Sequence, residues 1–319
     1  MAVALADGPQ TVKLVRRTVL PNIDPMKLMI HAAAALLLSI APLAHAQPAP
    51  VAAKPALWEL NDEDTKIYLF GTIHVLPKDY KWMTPTLDKA MADADELILE
   101  VPDMDDQVKS AETFIGLAMS PDMPPVNERI APDKRAAMDG LIAKSGIPVF
   151  MLDQFESWAV ALTLAVGSLT ELGLTPEDGA EKTLMAVFKK AGKPVGGLET
   201  TEQQLGFFDT LPEADQRIFL ASMVDGSVDA KAEFDAMISA WAAGDLAKIA
   251  LSFDDEAQMS PILVDRLLRQ RNANWAVWIA DRMAQPGTIF IGVGAGHLAG
   301  ADSVQAMLTA KGYKITRLQ

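Results

Sequence analysis

The sequence predicts an α/β (α+β) fold: a central mixed sheet from two βαβ-like halves at the N- and C-terminal ends, with a helical insert between them. Three observations predict it. Ile67 to His74 is an apolar run that ends in Gly71-x-x-His74, and Thr288 to His297 repeats the design with Gly294-x-x-His297. Each run belongs to a strand–helix–strand succession, the order of a parallel crossover unit. From about 105 to 190, by contrast, the apolar spacing is that of packed helices, with few strand signals.

The folded part is expected to begin late in the 319 residues. Lys27 precedes a nearly uncharged Ala/Leu-rich run, Leu28 to Leu43, which closes on Ala44-His45-Ala46, a small-x-small cleavage pattern. Residues 1–46 therefore read as a secretory signal peptide, with 1–25 lying upstream of a second plausible start at Met26. A transmembrane anchor is the alternative, but a span needs about 20 apolar residues. Pro42 and His45 interrupt this run, so no integral span is expected after cleavage. Pro48, Pro50 and Pro55 make 47–56 an extended linker, and 57–319 is expected to form one domain with the helical insert inside it. Export to the periplasm or beyond is the consequence.

Charge and cysteine narrow the chemistry. Removing Lys13, Arg16, Arg17, Lys27, Asp7 and Asp24 from the chain's 28 basic and 42 acidic residues leaves 24 and 40, a formal charge of −16. So acidic a surface repels phosphate backbones, which argues against nucleic-acid binding. Cysteine is absent. Thiolate catalysis and thiolate metal ligation are excluded, and any metal must be held by nitrogen and oxygen.

In order along the chain, Leu57–Leu60, the polar turn Asn61–Asp64 and Lys66–Ile73 read as a hairpin. Thr84-Pro85 is a cap followed by a first-turn proline, and Leu87, Ala90, Met91 and Ala94 mark one face of the helix it opens. Glu96–Val101 is a buried strand stopped by Pro102. Helices are expected over 105–119, 132–144 and 153–171, the last with Trp158, Leu162 and Val166 on one face. Thr175-Pro176 starts another helix, with Leu184, Val187 and Phe188 inward, ended by Gly192-Lys193-Pro194. Val195–Glu199 is a short strand, and Thr200 or Thr201 caps the helix that follows. Helices from 211 to 224 and 230 to 243 lead to the longest one, Ser260 to about Met283. The chain closes with strand 288–293, a glycine-rich turn, a helix over 301–310 and strand 313–317.

Of four histidines, His31 and His45 fall in the expected leader, so the mature chain keeps His74 and His297. A single strand-end histidine is ordinarily a hydrogen-bonded structural residue. The pair is less ordinary, because glycine occupies 20 of 319 positions yet stands three residues before both. Gly71 and Gly294 allow a tight turn and leave space for a ligand. Two imidazoles with carboxylates suit a divalent cation such as Mn, Co or Zn, and the sequence does not choose among them. Glu100 closes an apolar strand, where a charge needs a partner, so it reads as functional or as a structural ion pair. Glu199 repeats that placement more weakly. Arg271, followed by Asn272, is either part of a solvated basic face or an anchor for a carboxylate or oxyanion. Walker loop, His-Glu-x-x-His helix and Gly-x-Ser-x-Gly elbow are all missing.

Leu69–His74, Leu97–Glu100, Gly192–Thr200, Arg271-Asn272 and Gly292–Leu298 with Lys311–Tyr313 together resemble the TraB/GumN family over about 57–319. That family is related to the Tiki metalloproteases, and more distantly to pheromone-shutdown, erythromycin-esterase-like and haem-binding ChaN-like proteins. The resemblance implies an α/β fold and metal-dependent hydrolysis of peptide bonds, with a peptide or protein as substrate. It places His74 and His297 on the metal, Glu100 as ligand or general base, and Arg271-Asn272 as the family's Arg-Asn pair. Where relatives often show Gly-x-Asp, this chain has Gly179-Ala180-Glu181, which leaves Glu181 outside the expected site. The rival expectation is a non-catalytic protein that binds a peptide, or haem through two axial histidines, in the same cleft.

Overall fold

Six strands share one sheet in the order β4-β3-β5-β2-β1-β6 in a computed structural model that describes residues 53–102, 106–226, 230–251 and 261–319. The expected leader (1–46) and the first part of the expected linker lie outside the described residues. The strands are β1 Leu57–Asn61, β2 Thr65–Thr72, β3 Glu96–Leu99, β4 Val195–Gly197, β5 Gly287–Gly294 and β6 Ile315–Arg317. β1 and β2 form the expected hairpin, with Leu57 opposite Phe70. β2, β5, β3 and β4 run parallel, and β6 lies antiparallel on β1. The two ends of the chain thus build one mixed sheet, with β5 from the C-terminal half inserted between β3 and β2.

The apolar runs explain why these strands sit in the centre. Ile67, Leu69 and Phe70 are fully buried, as are Ile289, Phe290 and Ile291, so both faces of the parallel strands are covered. Alternate side chains feed two layers. Phe70, Leu97, Leu99 and Phe290 pack with Leu87 and Met91 of α1 (Pro85–Asp93) and with Leu184 and Phe188 of α5 (Ala180–Lys190). On the other face, Ile67, Leu69, Ile98, Ile289 and Ile291 pack with Trp275 and Ile279 of α9 (Gln270–Arg282) and Leu308 of α10 (Val304–Ala310).

A third, wholly helical cluster contains α2 (Gln107–Ala118), α3 (Arg135–Ser145), α4 (Ser157–Glu171) and α7 (Glu213–Gly226). Between α5 and α7, α6 (Thr201–Asp209) is capped by Thr200, whose hydroxyl accepts from Gln203 N while the Gln203 side chain accepts from Thr200 N. α8 (Ala230–Ala242) follows α7. Two expected faces shift. Val166 is 56% exposed, because α4 buries its whole first turn, Ser157–Ala161, and then emerges past Leu164. On α5, Val187 is 37% exposed and Met185 takes the inward place beside Leu184 and Phe188. The expected long helix is present from Pro261 to Arg282, with a wide π turn at Asp265–Arg269 just before Arg271. Such turns concentrate at functional sites.

Candidate functional site

The sequence-predicted site residues gather at the carboxyl ends of the parallel strands, the side on which such sheets bind ligands, with Arg271 and Asn272 reaching them from α9. His74 follows β2 by two residues, Glu100 directly follows β3, Glu199 follows β4 by two, and Gly294 ends β5. His297 stands in the 3₁₀ turn Ala295–Leu298. The loops after β3 and β4 run together through Leu198 N to Leu99 O and Glu199 N to Glu100 O, both 2.8 Å. Glu100 and Glu199 are therefore neighbours.

Gly294 is the point of convergence. A Cβ there would stand 3.2 Å from Glu100 Oε1, 3.4 Å from His74 Nε2 and 3.7 Å from His297 Cδ2. The Gly294 N–H donates to Glu100 Oε1 at 2.7 Å. Gly71 acts on packing instead. Its missing side chain lets Ala295 approach, since a Cβ would lie 3.1 Å from Ala295 Cα.

His74 is held by a residue outside the expected set. Its Nδ1 lies 2.7 Å from Glu181 Oε1, which also accepts from the Thr72 hydroxyl. The backbone fixes this pairing, because Ala180 N donates to Ile73 O at 2.9 Å and a Cβ on Gly179 would come 2.2 Å from His74 O. Glu181 is buried and its Oε2 has no hydrogen-bond partner among the described residues, whereas the His74 side chain is 61% exposed. With Nδ1–H donated to the carboxylate, Nε2 is left facing Gly294. The Glu181 charge raises the His74 pKa to about 9.

Arg271 ties the other groups together, buried on α9. Its Nε and Nη2 donate to Glu199 at 2.8–3.1 Å, and Nη2 also donates to Glu100 Oε2 at 2.6 Å. Nη1 donates to Leu267 O and to His297 Nε2, at 3.2 and 3.1 Å. The guanidinium lies 4.7 Å from the Trp275 ring, whose N–H donates to Glu199 Oε1. Every face of this cation is engaged, so direct contact with an oxyanion would require one of these bonds to be given up.

His297 has the opposite character to His74. Asn272 Nδ2 donates to Asp302 O at 2.8 Å, which turns its Oδ1 toward His297 Nδ1 at 2.6 Å. Nδ1 therefore carries the proton and Nε2 accepts from Arg271. Burial pushes the His297 pKa down to about 3, leaving the ring neutral at pH 7. Burial alone would raise the Glu100 carboxyl, but His297, which is charged only in acid near its own pKa, together with Arg271, His74 and the Gly294 N–H outweighs it and holds Glu100 at about 2. At Glu199 burial prevails over Arg271 and the pKa is raised. Gln204 of α6 completes the Glu100 shell with a 2.9 Å bond to Oε2.

Two imidazoles and a carboxylate are donors that a divalent cation takes. As arranged they do not fit one. Glu100 Oε2 and His297 Nε2 both accept from Arg271, and among the described residues no three His, Asp or Glu side chains form a metal-holding group. A cation would first have to displace the guanidinium.

Glu181 was nevertheless readable. Glu181, Leu184, Met185 and Phe188 share one helical face, so a carboxylate stands on an otherwise apolar stripe. Gln204 and Trp275 carried no comparable signal, since each looks like an ordinary helix residue until the loops converge.

The sheet and its strand-end cluster define an α/β protein with a histidine–carboxylate–arginine site at one sheet edge. The chain belongs to the TraB/PrgY/gumN family, whose model matches residues 56–317. No curated protein and no solved structure matches it significantly.

Proposed function

We propose that the protein is an exported hydrolase that cleaves a carboxamide bond, with peptide bonds in scope, and that His74 activates the water. The observation that carries this reading is the 2.7 Å pairing of His74 Nδ1 with Glu181, which leaves Nε2 directed at the space over Gly294. A carboxylate that orients an imidazole whose far nitrogen faces a cavity is the arrangement of a general base. Neutral His74 takes a proton from water, the water oxygen bonds to the carbonyl carbon, and the imidazolium returns the proton to nitrogen as the C–N bond breaks. Acid and amine leave. Glu181 positions the ring and stabilises its charge, and Glu100 adds a second negative group that favours the imidazolium. Arg271 keeps Glu100 ionised and holds both Glu100 and Glu199 in place, and His297 shapes the wall behind them.

Dependence on Mn, Co or Zn, implied by the family resemblance, is decided by the same assay. The purified protein is offered a peptide and N-acyl-amide library after chelation and after addition of each metal, alongside His74→Ala and His297→Ala. Cleavage that survives chelation and is lost in His74→Ala supports water activation by the Glu181–His74 pair. Cleavage that appears only with metal, together with metal uptake lost in both variants, would replace it with a metal centre. No cleavage under any condition would overturn the hydrolase reading.

A further inference from the structure

From the strand-end cluster a cavity of about 460 Å³ runs into the helical layer, within the roughly 300–1,000 Å³ of ligand pockets. His74, Arg271, Gly294 and His297 lie at one end. Its other walls are mainly side chains of α6, α7, α8 and the 261–268 segment, among them Phe208, Phe219, Met223, Phe234, Met237 and Leu263, with Val75, Leu169 and Ile249 completing them.

We infer that this cavity takes an unbranched aliphatic chain, so that the substrate is an aliphatic-chain amide with its carboxamide at the histidine end and its chain among the helices. The inference rests on the hydrolase reading for the amide, while the chain site stands on the cavity itself. The choice between a chain and a peptide follows from hydrogen bonding. A peptide brings an N–H and a C=O at every residue, and each costs about 1–3 kcal/mol if buried without a partner. The walls from α6, α7 and α8 present the sides of helices, whose main-chain groups are spent on their own i to i−4 bonds. Ser222, a hydroxyl residue on these walls, already donates to Phe219 O at 2.7 Å. Partners for a peptide backbone are therefore concentrated at the strand-end, near His74 and Gly294. An alkyl chain has no such requirement, and its burial is favourable along its whole length. Met223 and Met237, flexible and polarisable, suit an adaptable chain better than a fixed side chain.

The polar end matches the other half of such a molecule. A carboxamide needs a donor and an acceptor there, and His74 Nε2 supplies either according to its protonation. The site has carboxylates on three sides, Glu100, Glu181 and Glu199, against Arg271 and protonated His74. A neutral amide therefore fits better than a free fatty carboxylate, which would add negative charge beside Glu100.

The test is a binding series of N-acylglycinamides with saturated chains of increasing length, followed by calorimetry on the full chain, with N-alkylacetamides as the second arm. Affinity is expected to rise about fourfold per added methylene until the cavity is filled, from about 0.8 kcal/mol per buried CH₂, and then to level. The arm with the steeper rise identifies whether the chain comes from the acyl or the amine side. Met223→Trp and Met237→Trp, made separately and checked by thermal unfolding, should each bring the levelling to a shorter chain. Affinity that does not change with chain length in the unmodified protein would overturn the inference, as would an unacylated peptide that binds more tightly than every member of both arms. Chain-length-dependent binding without cleavage would keep the chain site and sink the hydrolase reading. Cleavage of unacylated peptides at rates indifferent to both tryptophan variants would do the reverse.

Discussion

At the residue scale the site contains two histidines in opposite states. His74 is exposed and held protonated by Glu181, whereas His297 is buried, neutral and locked between Asn272 and Arg271. The sequence singled out both and assigned them the same role, because a Gly-x-x-His repeat does not reveal which carboxylate each ring will meet. Glu181→Gln is expected to lower the His74 pKa from about 9 toward the ordinary 6.5. Proton NMR titration of the imidazole measures the shift. The pH dependence of kcat/KM should move the same way, since an unprotonated base becomes available at lower pH. An unmoved His74 titration would remove Glu181 from the account. Arg271→Met leaves Glu100 and Glu199 buried without their cation and is expected to cost about 3–5 kcal/mol, read by urea unfolding. Arg271→Lys keeps the charge but loses the fork, so it should recover only part of that loss.

At the element scale, short loops and turns at the strand ends carry the two histidines, and α5 and α9 bring the side chains that orient them. Helices and strands were legible from caps and periodicity: Thr84-Pro85, Thr200 and the apolar strand runs all stand where the chain pattern predicts. The inward faces of α4 and α5 were less so. Val166 and Val187 are apolar at acceptable spacing, and only the neighbours' shape selects Leu164 and Met185 instead. The tightest constraint is Gly179, between the Pro176–Asp178 turn and α5. Its φ and ψ of −65° and 157° are open to any residue, so the demand for glycine comes from the 2.2 Å approach of a Cβ to His74 O. Gly179→Ala is expected to destabilise by about 1–3 kcal/mol and to separate His74 from Glu181. Thermal unfolding measures the first effect and the His74 titration the second. Thr200→Ala should cost about 1 kcal/mol and loosen Gln204 on Glu100, a change that amide hydrogen exchange at the start of α6 would detect.

At the scale of the whole molecule, the sheet order β4-β3-β5-β2-β1-β6 brings residues from 74 to 297 to one edge. The sequence indicated two strand–helix–strand ends and a helical middle, but not that β5 would lie between β3 and β2, because pairing across some 200 residues leaves no local pattern. The helical layer supplies the cavity beside that edge. Stability should depend on pH through three of the site's groups. Glu100, held at about 2 against an ordinary 4.5, contributes stability that is present above 4.5 and lost as pH falls through about 2. His297, neutral down to about 3, is protonated earlier in the unfolded chain, so stability also falls as pH drops from 6.5 toward 3. His74 acts in the other direction: its contribution is complete below 6.5 and is lost as pH rises through about 9. Its exposure to solvent keeps that part small. Unfolding midpoints across pH 2 to 10 should therefore peak near 6.5, with the steeper fall on the acid side. The central claim, that His74 paired with Glu181 activates water at this sheet edge, is tested most directly by the pH profile of amide cleavage in the wild type and Glu181→Gln after chelation. The account predicts activity that rises with pH toward about 9 in the wild type and an inflection displaced toward 6.5 in the variant, and identical profiles for the two proteins would contradict it.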